Sequence, residues 1–127
     1  MEKLEKTTYV AQAERVINGL EKNNNNKITS SKIRNILTLV NVLYEKVRLD
    51  ANAELSEDMR SNVQYVKMKL VYEASREDGK GVKNLMYRSK LLEYLDAVGN
   101  SREQLILVCR YTEALIAYHK FRFGNTK

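Results

Sequence analysis

Apolar residues recur at helical spacing along almost the whole chain, and the alternation typical of strands is absent. A first helix is predicted over residues 7–21, where Tyr9, Ala13, Val16 and Leu20 share one side. Thr29 or Ser30 is placed to cap a second helix. Its apolar face consists of Ile33, Ile36, Leu37, Val40, Leu43, Tyr44 and Val47. Between the two helices, the asparagine run 23–26 disfavours helix and predicts a surface loop.

A third helix, predicted over residues 54–77, has two apolar stripes on almost opposite sides. The longer stripe contains Leu55, Met59, Val63, Val66, Leu70 and Ala74, and the other contains Tyr65, Met68 and Tyr72. A helix that is apolar on two sides lies between neighbours or meets a partner. Lys69 and Arg76 project beside the tyrosines, whereas Lys67 leaves from the other side.

The rest of the chain predicts two more helices. Residues 78–81 form a turn, and a fourth helix runs over residues 82–98 to Gly99, a residue suited to a left-handed end. The pattern Ser101-Arg102-Glu103-Gln104 is a capping box that begins a fifth helix, apolar around most of its circumference and therefore central. The predicted fold is all-α: one compact bundle of about five helices over residues 1–127, with an ordered core at 7–121 and short flexible ends.

Composition and the absence of apolar segments predict a cytoplasmic location. The chain has no proline to interrupt helices, and its single cysteine cannot form an internal disulfide. The first residues lack the apolar core of a signal peptide, and no stretch has the ~18 apolar residues of a membrane span.

Catalytic and metal-binding chemistry is not expected. His119 and Cys109 are the only histidine and cysteine, so the usual zinc sets cannot be assembled. His119 is predicted to be packed in the interior or to lie at an interface, and Cys109 to be a small core residue. The segment Gly79-x-Gly81 has neither the P-loop nor the Rossmann spacing. We therefore expect no catalytic residues, no metal and no cofactor.

Positive charge is the feature that points to a partner. The net charge is +6, and the excess lies after residue 64 on regular helices. Fixed cations beside tyrosines suit nucleic-acid backbones and exposed bases. Solvated faces and intrahelical pairs such as Glu73–Arg76 explain the same pattern equally well. Periodicity and charge leave these two interpretations open.

Three segments, in this order, are similar to one family. They are SSKIRNIL at 30–37, YVKMKLVYEASRE at 65–77 and CRYTEALIAYHKF at 109–121. Together they resemble the small subunit of the type III-A CRISPR–Cas effector, the Csm complex, and the resemblance spans about residues 9–121.

The resemblance implies a helical bundle without nuclease activity, used in antiviral defence. In that family, copies of the small subunit associate side by side in an inner filament. This filament lies against backbone subunits that hold the CRISPR RNA and are joined by a large subunit, and target RNA paired to the guide runs between the filaments. The basic positions that match the family segments, and are expected to contact RNA, are Lys32, Arg34, Lys67, Lys69, Arg76 and Lys120.

Three alternatives stay open at this point. One is a helical DNA-binding regulator, which the long asparagine-rich loop fits poorly because such proteins need a tight turn before the recognition helix. Another is a generic helical adaptor. The third is a helical nuclease using Glu113 and His119, against which the single histidine argues.

Overall fold

Helices form nearly all of the regular structure. The computed structural model describes residues 3–124, which contain six α-helices and, between the first two, a short 3-10 helix at Asn24–Asn26. The α-helices are α1 (Tyr9–Asn18), α2 (Ser30–Arg48), α3 (Glu57–Ser75), α4 (Lys80–Ser89), α5 (Leu91–Ala97) and α6 (Arg102–Phe123). An isolated β-bridge joins Glu54 to Ser101, and no β-strand is formed over this part of the chain. The all-α prediction is confirmed.

The last helix is the centre of the bundle, as predicted. α6 packs against α1, α2 and α5, while α3 packs against α2 and α4. Leu105, Tyr111 and Leu115 on α6 are almost completely buried, and with the apolar faces of the other helices they form one continuous core. Among the described helices, none combines the length and apolarity needed to cross a membrane.

Hydroxyl caps begin three of the long helices. Thr29 Oγ1 accepts from the Lys32 amide at 3.3 Å, which confirms the predicted cap of α2, and Ser56 does the same at α3. Ser101 Oγ accepts from the Gln104 amide at 3.1 Å. Each cap satisfies an N–H group that the first helical turn leaves free.

The predicted capping box at α6 is only half formed. Instead of returning to Ser101, the Gln104 side chain donates to the Leu4 carbonyl at 3.1 Å. Leu4 is buried, although it precedes the predicted core 7–121. Of the predicted flexible ends, residues 1–2 and 125–127 lie outside the described residues.

The number of helices differs from the prediction because the fourth predicted helix is two helices. Lys90 adopts a left-handed backbone with φ of 59° and separates α4 from α5. The break is held by its neighbours: Tyr111 Oη donates to the Ser89 carbonyl at 2.9 Å, and Ser89 Oγ accepts from the Leu91 amide at 3.2 Å. Without glycine or proline at this position, the sequence carries no local signal of the break.

Candidate nucleic-acid interface

The second apolar stripe of α3 faces solvent in the isolated chain. Tyr65, Met68, Val71 and Tyr72, here called the tyrosine ridge, are exposed by between 41% (Val71) and 61% (Tyr72). The opposite stripe, which includes Val63, Val66 and Leu70, is buried in the core. The sequence predicted that a helix of this kind either lies between neighbouring helices or meets a partner. The ridge is not covered by neighbouring helices in the described part of the chain. An exposed apolar surface of this kind is typical of an interaction site.

Two cations lie against the rings of the ridge. Lys69 Nζ is 5.5 Å from the centroid of the Tyr65 ring, and the Arg76 guanidinium carbon is 5.9 Å from that of Tyr72. The ring quadrupole attracts a cation at these distances and limits how far it swings. The side of α3 therefore presents aromatic rings and positive charges alternately along about three helical turns.

Arg76 is only weakly neutralised within the protein. Its nearest carboxylate oxygen is Glu73 Oε1 at 3.8 Å, close to the limit for an ion pair, and almost half of its side chain is exposed. The contact confirms the predicted Glu73–Arg76 pair. Because an exposed pair of this length contributes little free energy, most of the positive charge remains available to an anion.

Lys32 lies in different surroundings from the other predicted basic residues. It is 4% exposed, and its Nζ is 2.9 Å from Asp78 Oδ1 and 3.7 Å from Glu73 Oε2. The hydrogen bond from Lys32 holds the pKa of Asp78 below its usual value. The assignment of Lys32 to RNA contact stays a prediction. Because its ammonium faces two carboxylates, the interface described here does not include it.

Contacts of Glu73 place the beginning of α2, which includes Arg34, beside the end of α3. Asn35 Nδ2 donates to Glu73 Oε1 at 3.3 Å, so the first turns of α2 lie beside the last turn of α3, which is followed by Arg76. Arg34 is exposed, and no described residue forms an ion pair with it. Arg34 and Arg76 are therefore found at the same junction of α2 and α3.

Lys120 belongs to that end of the bundle as well. The preceding residue, His119, donates from Nε2 to the Asn26 carbonyl at 2.8 Å, in the loop that leads into α2. Lys120 is exposed, and over residues 3–124 it has no carboxylate partner. Arg34, Arg76 and Lys120 thus belong to helix ends that lie at the same end of the bundle, and Lys69 is further along the ridge.

Lys67 contacts a different helix, α5. Its Nζ lies 2.6 Å from Asp96 Oδ2 of α5. Two residues along a helix correspond to a rotation of about 200°, so Lys67 and Lys69 leave α3 on different sides. Its contribution to RNA binding stays a prediction, and the structure does not bring it together with the others.

His119 and Cys109 are both in the interior, which confirms the prediction for Cys109 and the first of the two alternatives for His119. His119 is fully buried and stacks on Phe123 with ring centroids 4.6 Å apart, and burial lowers its pKa. Burial raises the pKa of the Cys109 thiol to about 12, so the thiolate nucleophile does not form near neutral pH. Because a general base must reach its substrate, the arrangement of His119 does not favour a nuclease that uses Glu113 and His119.

No metal centre is formed by the described residues. In the range 3–124, no group of three or more histidine, cysteine, aspartate or glutamate side chains lies close enough together to hold an ion.

One basic region was not among the predicted site residues. Arg110 donates to Tyr44 Oη at 3.2 Å and lies 5.6 Å from the centroid of that ring. It borders an open groove of about 810 Å³ that is also lined by Lys6, Tyr9 and Arg102. Tyr44 was predicted to be core because it falls on the apolar side of α2. The sequence feature that could have indicated this basic region was the spacing of Arg102 and Arg110, which lie about two turns apart on α6.

Comparisons with known proteins agree along nearly the whole chain. A family model described as Csm2 Type III-A matches residues 3–125. A protein of Mycobacterium tuberculosis (strain H37Rv) named "CRISPR system Cms protein Csm2" is 41% identical over 114 residues, which cover 89% of this chain and 90% of that protein.

Two relatives with the same name come from other bacteria. The protein of Streptococcus thermophilus is 41% identical over 119 residues, or 92% of this chain and 93% of its own. The protein of Enterococcus italicus is 38% identical over 103 residues, or 79% of this chain and 72% of its own.

Proposed function

Because this chain belongs to the Csm2 family of type III-A systems, we propose that it is the small, non-catalytic subunit of a cytoplasmic CRISPR effector complex. In this role it assembles with the backbone and large subunits of the Csm complex. It contacts the duplex of CRISPR RNA and target RNA through a basic helical surface, and serves in antiviral defence.

The observation that carries the RNA contact is the tyrosine ridge with its two cations. Lys69 and Arg76 are held against Tyr65 and Tyr72, and no strong ion pair neutralises either of them. Fixed cations position a protein on a phosphate backbone without reading the sequence, which suits the ridge to strands of any sequence. Exposed tyrosine rings add stacking on bases that are turned out of a helix.

The proposed surface continues beyond the ridge to the end of the bundle. Arg34 and Lys120 are exposed there without carboxylate partners, and Arg76 joins them to the ridge. The separation of Lys69 and Arg76 is roughly 10 Å along the helix axis, at 1.5 Å per residue. That distance is comparable to one or two phosphate steps of a nucleic-acid strand.

A non-catalytic role agrees with the surroundings of the reactive side chains. His119 has its Nε2 bonded to a backbone carbonyl and its ring stacked on Phe123. The Cys109 thiol is buried against the Val40 carbonyl. Neither group can approach a phosphodiester without opening of the core.

We also propose that copies of the chain associate side by side in the complex. Phe121 is 90% exposed at the end of α6, and Val71 of the ridge is exposed between the tyrosines. Large apolar side chains on a soluble surface favour a protein contact. Replacing Phe121 with aspartate is therefore expected to lower the number of small subunits per complex, which native mass spectrometry counts directly. An unchanged copy number would place the contact elsewhere.

The RNA surface is tested by the double change Lys69→Ala and Arg76→Ala. The complex carrying this variant is expected to bind target RNA more weakly. The slope of log affinity against log salt should shrink by about one unit for each lost phosphate contact. Helical content and melting temperature should stay nearly the same, since neither side chain belongs to the buried core.

A matched control removes two positive charges elsewhere. Lys46→Ala and Lys83→Ala change exposed residues on α2 and α4 that have no ion-pair partner among the described residues. If the ridge variant retains wild-type affinity and salt slope, or if the control loses as much, the ridge is not the RNA interface. A short consensus sequence bound with little dependence on salt would instead favour the DNA-binding regulator.

A further inference from the structure

The asparagine run 23–26 borders a depression on the surface. The depression has a volume of about 360 Å³ and lies between the end of α1, the asparagine loop and α4. Its walls contain four asparagines together with one acid, one aromatic ring and one arginine: Asn23, Asn25, Asn26, Asn84, Glu21, Tyr87 and Arg88. Neither the family resemblance nor the comparisons assign a role to these residues.

Three of the asparagines hold the loop in place. Asn26 is buried, and its amide donates to the Glu21 carbonyl at 2.8 Å while its Oδ1 accepts from Asn84 at 2.9 Å. Asn23 Nδ2 donates to Glu21 Oε2 at 2.9 Å. The predicted surface loop is therefore a rigid structure that is tied to α4, rather than a flexible connection.

Asn25 is the member of the run whose side chain is not used by this network. Its backbone amide donates to Asn23 Oδ1 at 3.0 Å, which fixes the residue, but its side-chain amide has no partner among the described residues. A primary amide offers one acceptor and two donors side by side. This pattern matches the N6 and N7 edge of adenine, which asparagine binds through two hydrogen bonds.

Tyr87 supplies a flat surface at the same depression. It is 79% exposed on α4, far more than a tyrosine that contributes to the core, and it has no hydrogen-bond partner within residues 3–124. The next residue, Arg88, donates to the Gly19 carbonyl at 3.4 Å and has no carboxylate partner there. Lys22, also exposed, adds a positive charge on the loop.

We propose that this depression binds a single unpaired adenine nucleotide of an RNA strand. Tyr87 stacks on the base, Asn25 binds its N6 and N7 edge, and Arg88 and Lys22 face the phosphate. The inference rests on the proposed RNA-binding function but concerns a surface separate from the tyrosine ridge. It predicts a base preference there, which phosphate contacts alone cannot give.

The site is tested on the full chain labelled with ¹⁵N, titrated with adenosine 5′-monophosphate, uridine 5′-monophosphate or inorganic phosphate. The adenosine nucleotide should shift the Asn25 side-chain amide and the Tyr87 and Arg88 backbone signals at lower concentration than uridine does. Tyr87→Ala should weaken binding of both nucleotides by roughly 5- to 150-fold, the range expected for one stacked base. Asn25→Ala should abolish the difference between them.

Two control variants match these changes on other surfaces. Leu49→Ala removes a large exposed apolar side chain at the end of α2, and Asn41→Ala removes an exposed asparagine from α2. Both should bind the nucleotides as the wild type does. Equal shifts with inorganic phosphate, or affinities unchanged by Tyr87→Ala, would overturn the proposal.

The failure of this site can be distinguished from failure of the proposed function. If nucleotides cause no shifts at the depression while the Lys69 and Arg76 variant still weakens RNA binding by the complex, the adenine site is wrong and the RNA interface stands. If the wild-type complex shows no salt-dependent affinity for target RNA, the RNA-binding function is wrong.

Discussion

Two lysines from the same predicted set, Lys32 and Lys69, lie in different surroundings. Lys69 Nζ lies over an exposed ring, whereas Lys32 Nζ lies between two carboxylates beneath the surface. Part of this difference could be predicted from the sequence. Lys32 precedes Ile36 by one helical turn and therefore lies on the apolar side of α2. The sequence could not identify the partners, since Glu73 and Asp78 are more than 40 residues away along the chain.

The single histidine predicts a pH dependence of stability. Burial lowers the pKa of His119 in the folded chain below the usual 6.5, so the unfolded chain binds the proton more readily. Stability is then complete above pH ~6.5 and falls as the pH decreases below it, by at most about 1.4 kcal/mol per pH unit. Thermal unfolding between pH 7 and pH 5.5 measures this slope.

The variant His119→Gln isolates this contribution. It is expected to be less stable at every pH, because a fully buried ring and its bond to the Asn26 carbonyl are lost. Its melting temperature should nevertheless be nearly constant between pH 7 and pH 5.5, since the chain has no other histidine. A variant that keeps the wild-type slope would show that His119 is not the titrating group.

At the scale of the helices, the sequence predicted those elements whose ends are marked by a local signal. The Thr29 and Ser101 caps were visible as hydroxyl residues before apolar runs, and Gly99 has the left-handed φ of 56° that its position suggested. The predicted α1 and α3 were two or three residues too long at each end. The residues there fit the helical spacing, so the pattern does not mark where each helix begins or ends.

The break between α4 and α5 could not be predicted locally. It depends on Tyr111, whose hydroxyl donates to the Ser89 carbonyl from 22 residues further along the chain. Burial of the ring against Tyr94, with centroids 5.5 Å apart, holds the hydroxyl at the break. Tertiary packing therefore imposes a left-handed backbone on a lysine that would otherwise continue the helix.

A glycine at the break should stabilise the chain. A residue with a Cβ atom is disfavoured by about 1 to 2 kcal/mol in the left-handed region, and part of this is offset by the greater freedom of glycine in the unfolded chain. Lys90→Gly is therefore expected to raise the free energy of unfolding by about 0.5 to 1 kcal/mol in urea denaturation. The control Lys83→Gly, at an exposed position inside α4, should lower it by about 1 kcal/mol. A destabilised Lys90→Gly variant would show that the Lys90 side chain itself holds the break.

At the scale of the whole molecule, polar contacts gather the starts and ends of four helices. Lys32 connects α2 to the turn after α3, Asn26 connects the asparagine loop to α4, and His119 connects that loop to α6. These contacts join residues that are far apart in sequence, so periodicity could predict the helices but not which of their ends lie together. Which residues of the interface lie together is a property of the packed bundle.

This arrangement predicts that replacing Lys32 or Arg34, both on α2, affects stability differently. Lys32→Ala leaves the buried Glu73 with only its weak pair to Arg76 and should lower the free energy of unfolding by about 2 to 3 kcal/mol. The effect lies at the low end for a buried pair because Asp78 remains open to water. Arg34→Ala removes the same charge from an exposed side chain and should leave stability within about 0.5 kcal/mol of the wild type.

RNA binding should show the reverse order. In complexes containing only folded subunit, Arg34→Ala is expected to weaken target RNA binding and to reduce the salt slope by about one unit, as loss of one phosphate contact requires. Lys32→Ala should keep the wild-type affinity and slope at temperatures where it remains folded, because its ammonium is occupied by carboxylates. Urea denaturation of each free chain and a salt titration of each complex measure the two effects separately. If Lys32→Ala instead reduces the salt slope while leaving stability unchanged, the lysine leaves its ion pairs to contact RNA, and the buried pair is not its bound state.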